Sequence, residues 1–225
     1  MTARGRRISA VMAAVMAGLA ACSYRGGDIG DAMTRKFRWY SYLQGDDIRT
    51  WCPLGSGDRF RVVYNAIYGE QVRMYDLDAA RRFLVVHVTQ PNDAAVFTLD
   101  DPLAPGRAQE SRAQLRPAEY DRMIEAFAAS GMFAPPPVGL RLPSRSYFWT
   151  AAWCRNGTFG FTAWRYPSPS FDAIGFDRLL FALDFTEVPV AQPAPVPFDP
   201  LRADEQRKGL TGEFTLEIGP QGLVR

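Results

Sequence analysis

Asn156-Gly157 stands between two runs rich in aromatic and β-favouring residues, Ser146 to Cys154 and Thr158 to Arg165, and constrains this chain more than any other dipeptide. Both residues tolerate the positive φ that a two-residue hairpin turn demands, so the flanking runs are expected to pair antiparallel. The turn also sets the register: Cys154 opposes Phe159, Ala152 opposes Phe161, and Trp149 opposes Trp164. Side chains alternate across a strand. One face of the hairpin therefore carries Phe148, Ala152, Cys154, Phe159 and Phe161, and the other carries Tyr147, Trp149, Trp153 and Trp164.

Further strands are expected around this hairpin. Arg59 to Tyr68 and Gln71 to Leu77 are strand-like, and Gly69-Glu70 between them fits a Gly-X turn. Arg82 to Thr89 is apolar on both faces through Phe83-Leu84-Val85-Val86, as a central strand is. Ala95 to Leu99 reads as a short strand stopped by Asp100-Asp101-Pro102, and Arg107 to Leu115 as a polar edge strand. Two helices are expected to pack on these strands. The first runs from Pro117, with Glu119 in its first turn and Tyr120, Met123, Ile124 and Phe127 at helical spacing, to a stop at Gly131. The second spans Ser170 to Asp184, with Phe176, Leu179, Leu180 and Leu183 along one side. A short helix from Gly45-Asp46-Asp47-Ile48, capped by Asp46, ends near Cys52. Helices that do not alternate with strands imply an α+β fold with an antiparallel sheet.

The ends of the chain differ in character. Five prolines between Pro189 and Pro200 suit an extended linker, and Phe214-Thr215-Leu216-Glu217-Ile218 beyond it alternates like a strand in search of a sheet edge. At the other end, Arg4, Arg6 and Arg7 precede an apolar stretch from Ile8 to Gly18 and then small residues, the pattern of an export signal. Leu19-Ala20-Ala21-Cys22 resembles the lipobox of bacterial lipoproteins. The resemblance covers the start of the chain alone. It implies cleavage before Cys22, acylation of that residue on its thiol and its new amine, and a stable anchor made of several acyl chains. Ser23, where the family's inner-membrane proteins have Asp, implies the outer membrane, facing the periplasm. The expected organisation is a signal peptide over 1–21, a polar Gly-rich tether over 22–36, an α+β domain over 37–185, and a Pro-rich linker and tail over 186–225.

With Cys22 acylated, Cys52 and Cys154 remain, and in an oxidising periplasm their one possible pairing is with each other; the alternative is two buried thiols. Two isolated cysteines and the single His87 make no zinc-ligand cluster, so neither metal nor cofactor is expected.

The chain carries 26 basic and 24 acidic residues. That balance offers no concentrated basic face and argues against nucleic acid as a partner. Phosphate-binding loops, HExxH zinc motifs and GxSxG nucleophile elbows are missing. His87 lies in a strand where a structural role is expected, and Glu70, Asp76, Asp78, Asp100 and Asp101 occupy turn and strand-end positions. No residue is singled out as catalytic. The aromatic face of Tyr147, Trp149, Trp153 and Trp164 is the one candidate binding surface, either a platform for sugar rings or a protein interface; the competing expectation is that a helix or the Pro-rich tail covers it. These features lead to the expectation of a non-enzymatic envelope lipoprotein, tied to the membrane through Cys22, that binds an envelope protein or glycan. The alternative is a hydrolase of envelope glycan or lipid.

Overall fold

Strand residues that alternate between two apolar sets need cover on both sides, and this chain provides it. The computed structural model describes residues 23–91, 106–197, 199–208 and 212–224. The lipobox with Cys22, the expected strand Ala95 to Leu99, and Asp100 and Asp101 lie outside them. Six strands form one antiparallel sheet: β1 (Arg59–Ala66), β2 (Gln71–Asp78), β3 (Phe83–Thr89), β4 (Gln109–Gln114), β6 (Tyr147–Arg155) and β7 (Thr158–Arg165), in the order β4-β3-β2-β1-β6-β7. A second sheet joins β5 (Arg141–Pro143), β8 (Thr215–Gly219) and β9 (Gly222–Val224) in the order β5-β8-β9. With helices α1 (Ala32–Gln44), α2 (Asp46–Trp51), α3 (Pro117–Ala129), α4 (Pro169–Asp172), α5 (Phe176–Ala182) and α6 (Pro200–Arg207), the fold is α+β with an antiparallel sheet.

The hairpin β6-β7 has the expected register, with Cys154 opposite Phe159, Ala152 opposite Phe161 and Trp149 opposite Trp164. The sheet's first face gathers Phe60, Val62, Tyr64, Tyr75, Leu84, Val86, Trp149 and Trp164 into a core with Met123 and Phe127 of α3 and Phe176 and Leu180 of α5. The second face gathers Val63, Met74, Phe148, Ala152 and Phe161 with Trp39, Tyr42 and Leu43 of α1, Ile48 of α2, and Leu216 and Ile218 of β8. The result is three layers. Cys52, just past α2, is bonded to Cys154 of β6 across 102 positions, so the disulfide staples one layer to the next.

Several boundaries differ from the sequence expectation for identifiable reasons. Tyr24 and Ile29 are buried, so the fold begins inside the expected tether; Gly26 and Gly27, both at positive φ, turn the chain back onto the sheet. The β1-β2 loop has four residues, 67–70, because Ile67 rather than Gly69 takes the positive φ, at 63°, and its carbonyl accepts from the Glu70 and Gln71 amides. β3 lies second from the edge rather than at the centre, covered by the polar strand β4. Gly45, not Asp46, is the residue between α1 and α2: its φ is 70°, and a Cβ there would sit 2.5 Å from Ala152 Cβ, so the helix pair lies directly on β6. The expected helix from Ser170 to Asp184 is interrupted at Ala173-Ile174-Gly175, where the Gly175 amide donates to Ser130 Oγ at the end of α3.

The expected linker and tail belong to the fold. Residues 186–191 cross the first face as a strap: Gln71 donates to the Pro189 carbonyl (2.9 Å) and accepts from the Ala191 amide (3.0 Å), while the Tyr64 hydroxyl donates to the Ala191 carbonyl (2.9 Å). Beneath the strap the guanidinium of Arg73 meets Asp184, Gln71 and the Val188 carbonyl. Past α6, strand β8 pairs with β5 on the second face.

Candidate functional site

The aromatic face of the hairpin is core. α3 and α5 cover it: Trp149, 2% exposed, stacks on Tyr64 with ring centroids 4.6 Å apart and meets Phe176 edge-on at 5.3 Å. The polar ends of the other two indoles are used as well, Trp164 donating to the Ser130 carbonyl (3.0 Å) and Trp153 to the Met132 carbonyl (3.1 Å) just past α3. Tyr147 is also buried and Trp153 is half-buried. This corrects the stacking-platform alternative: Trp149 and Trp164 are spent on the packing of helix against sheet, and the four rings form no open platform among the described residues.

The acidic candidates are likewise engaged. Asp76 accepts from Arg61 Nε (2.7 Å) and the Tyr42 hydroxyl (2.6 Å), Asp78 pairs with Arg59 (3.3 Å), and Glu70 is exposed in the β1-β2 loop. Arg61 is the hub of a buried charged cluster. Its guanidinium also takes Asp47 in a two-pronged pair at 2.7 and 2.9 Å and lies over the rings of Tyr42 and Tyr24. Burial and the neighbouring Asp76 carboxylate push the Tyr24 hydroxyl far above its ordinary range. The cluster has a structural consequence: it holds the first described residues against the sheet. Tyr24 is 5% exposed, its amide donates to Ser41 Oγ of α1 (2.7 Å), and its ring meets Tyr42 edge-on.

That placement brings a different surface forward. α1 turns Trp39, Tyr42 and Leu43 inward and leaves Met33, Phe37 and Tyr40 exposed at positions i, i+4 and i+7, with Phe37 at 60%. Lys36 on the same side is exposed, as is Arg25 in the preceding segment. The spacing is present in the sequence, but it straddles the boundary between the expected tether, 22–36, and the expected domain that starts at 37. His87, expected to be structural, is buried on the second face of β3 between Asp28 and Glu110. A cleft of about 390 Å³ opens between the Pro-rich strap and the base of the hairpin, lined among others by Arg145, Tyr147, Arg165, Tyr166 and Glu213. None of the described helices is long and apolar enough to cross a membrane.

Compared with known protein families and with curated proteins, the chain matches no family model and no curated protein.

Proposed function

We propose that this protein is a lipid-anchored module of the bacterial envelope, held at the outer membrane by acyl chains on Cys22, facing the periplasm, and acting by binding or assembly rather than by catalysis. The observation that carries this reading is the burial of Tyr24, two positions after the lipobox cysteine, beside a helix with an exposed apolar stripe. Two residues of extended chain span about 7 Å at most. Acyl chains on Cys22 would therefore enter the bilayer within about 7 Å of the point where Tyr24 meets α1, with no long spacer to lift the domain away. Met33, Phe37 and Tyr40 suit the lipid boundary, and Lys36 and Arg25 suit anionic headgroups. The occupant of the stripe is then the membrane that holds the anchor, which leaves the strap side of the domain free for periplasmic partners. The engagement of Asp76 and Asp78 by arginines favours this reading over a hydrolase that needs two free carboxylates.

Wild-type protein should incorporate labelled palmitate and sediment with membranes, whereas Cys22→Ser should do neither. Ser23→Asp should shift the protein to the inner-membrane fraction. Orientation is tested with Phe37→Cys, whose thiol would be the one left unmodified by acyl chain or disulfide. An environment-sensitive fluorophore there should report an apolar surrounding in the anchored protein. The same label at Phe185, exposed in the strap layer, should report water. A wild-type protein without lipid overturns the anchoring, and identical emission at the two sites overturns the orientation.

A further inference from the structure

We propose that Asp28, His87 and Glu110 form a binding site for a divalent metal ion of the zinc class. His87 Nε2 lies 3.3 Å from Glu110 Oε2 and 3.6 Å from Asp28 Oδ1, and one donor atom from each of the three residues falls within 4.8 Å of the others. Nitrogen and oxygen ligands about 2.0–2.2 Å from zinc, set at tetrahedral angles, stand roughly 3.3–3.6 Å apart, the range of the two distances from His87 Nε2 to the carboxylates. One imidazole with two carboxylates suits zinc and its neighbours in the transition series. Calcium and magnesium prefer oxygen ligands throughout.

Three separate parts of the fold converge on the site. His87 and Glu110 are direct partners across the β3-β4 ladder. Asp28 comes from the segment that follows the lipobox and is fixed by the Gly30 amide, which donates to its Oδ1 (2.7 Å). Gly30 in turn accepts from the Ala108 amide next to β4 (2.9 Å). A side chain at position 30 would not fit, since its Cβ would lie 2.9 Å from the imidazole and 2.8 Å from the Asp28 carboxylate. The burial gradient suits an ion arriving from solvent: the imidazole, 9% exposed, forms the floor, and the carboxylates of Asp28 and Glu110 form an open rim. Arg112 engages the other oxygen of Glu110, which leaves Oε2 to face His87. Among the described residues the buried His87 Nδ1 has no hydrogen-bond partner, so the choice of tautomer is left to what meets Nε2, the atom aimed into the cluster. An ion here would pin the segment after the anchor to the polar edge of the sheet. Asp28 and Glu110 stand 59 positions before and 23 positions after His87 in the sequence, so their convergence on it arises only in the fold.

The test is calorimetric titration of ZnCl2 into chelator-stripped full-length protein in detergent, alongside thermal melts and the visible spectrum of the cobalt(II) form. One zinc per chain, a raised Tm and a tetrahedral cobalt spectrum are expected, with no effect of Mg²⁺ or Ca²⁺. His87→Ala removes a buried side chain and can unfold the protein, so the decisive variants are Asp28→Asn and Glu110→Gln, which keep shape. Each should weaken zinc at least ~10-fold, the size of even an outer-shell loss, while the metal-free Tm stays that of wild type. Absence of zinc binding overturns the site, as does binding unchanged in the double variant.

Discussion

Arg73 of β2 and Asp184, just beyond α5, form an ion pair whose two side chains are closed off from solvent, at 0% and 2% exposure. The strap supplies the lid: the Val188 carbonyl accepts from the same guanidinium, and Thr186 donates to the other oxygen of Asp184. A buried pair of this kind contributes little net stability against an apolar alternative, but losing one partner strands a charge.

Asp184→Ala should therefore destabilise the protein by about 3–5 kcal/mol. The double replacement Arg73→Met with Asp184→Leu should cost less than the single change. Urea denaturation measures both. A single variant within about 1 kcal/mol of wild type would mean that water reaches Arg73 and that the strap does not close over it.

Peptide mapping of non-reduced protein should recover one species joining Cys52 to Cys154. Replacing both by Ser should lower stability by about 2–4 kcal/mol, since the bond closes a loop of more than a hundred residues in the unfolded chain. Two alkylatable thiols in the folded, oxidised protein would contradict this pairing.

Deleting residues 201–225 should lower the Tm and raise binding of a hydrophobic dye. Leu216 and Ile218 are both buried in the second core, each contributing roughly 1.5–3 kcal/mol by area. Removing them also exposes Leu142 of β5 and the inner side of Tyr68. An unchanged melting curve would show that the tail serves a partner instead of its own domain.

What the sequence revealed and what it hid follow from the range of the interactions involved. The turn at Asn156-Gly157, the register of β6-β7 and the start of α3 at Pro117 rest on neighbours within a dozen positions, and they were legible. The extended strap was recognised as extended, but its docking depends on Gln71, Arg73 and Tyr64, more than a hundred positions away, and nothing in a run of prolines announces such partners. Tyr24 was hidden for the same reason. Its polar, Gly-rich setting reads as a spacer, and its burial depends on Arg61, whose charge is satisfied by Asp47 and Asp76. The aromatic face was correctly grouped by alternation, yet alternation cannot tell a covered face from an open one. That distinction came from α3 and α5, whose apolar stripes need a surface of the same extent.

Strand β9 sits beside helix α1. The Leu223 amide donates to Gln44 Oε1 (2.7 Å) across 179 positions, and Arg49 of α2 donates to the Gln221 carbonyl. The second face of the sheet is thus finished by β8 and β9, which are synthesised long after the helix they complete. Until β8 and β9 have left the ribosome, and on an export route have cleared the translocation pore, Leu142 and its neighbours stay unroofed. Such a chain remains threadable until those strands emerge. A premature stop before β8 would yield a product with one finished face and one that invites proteolysis.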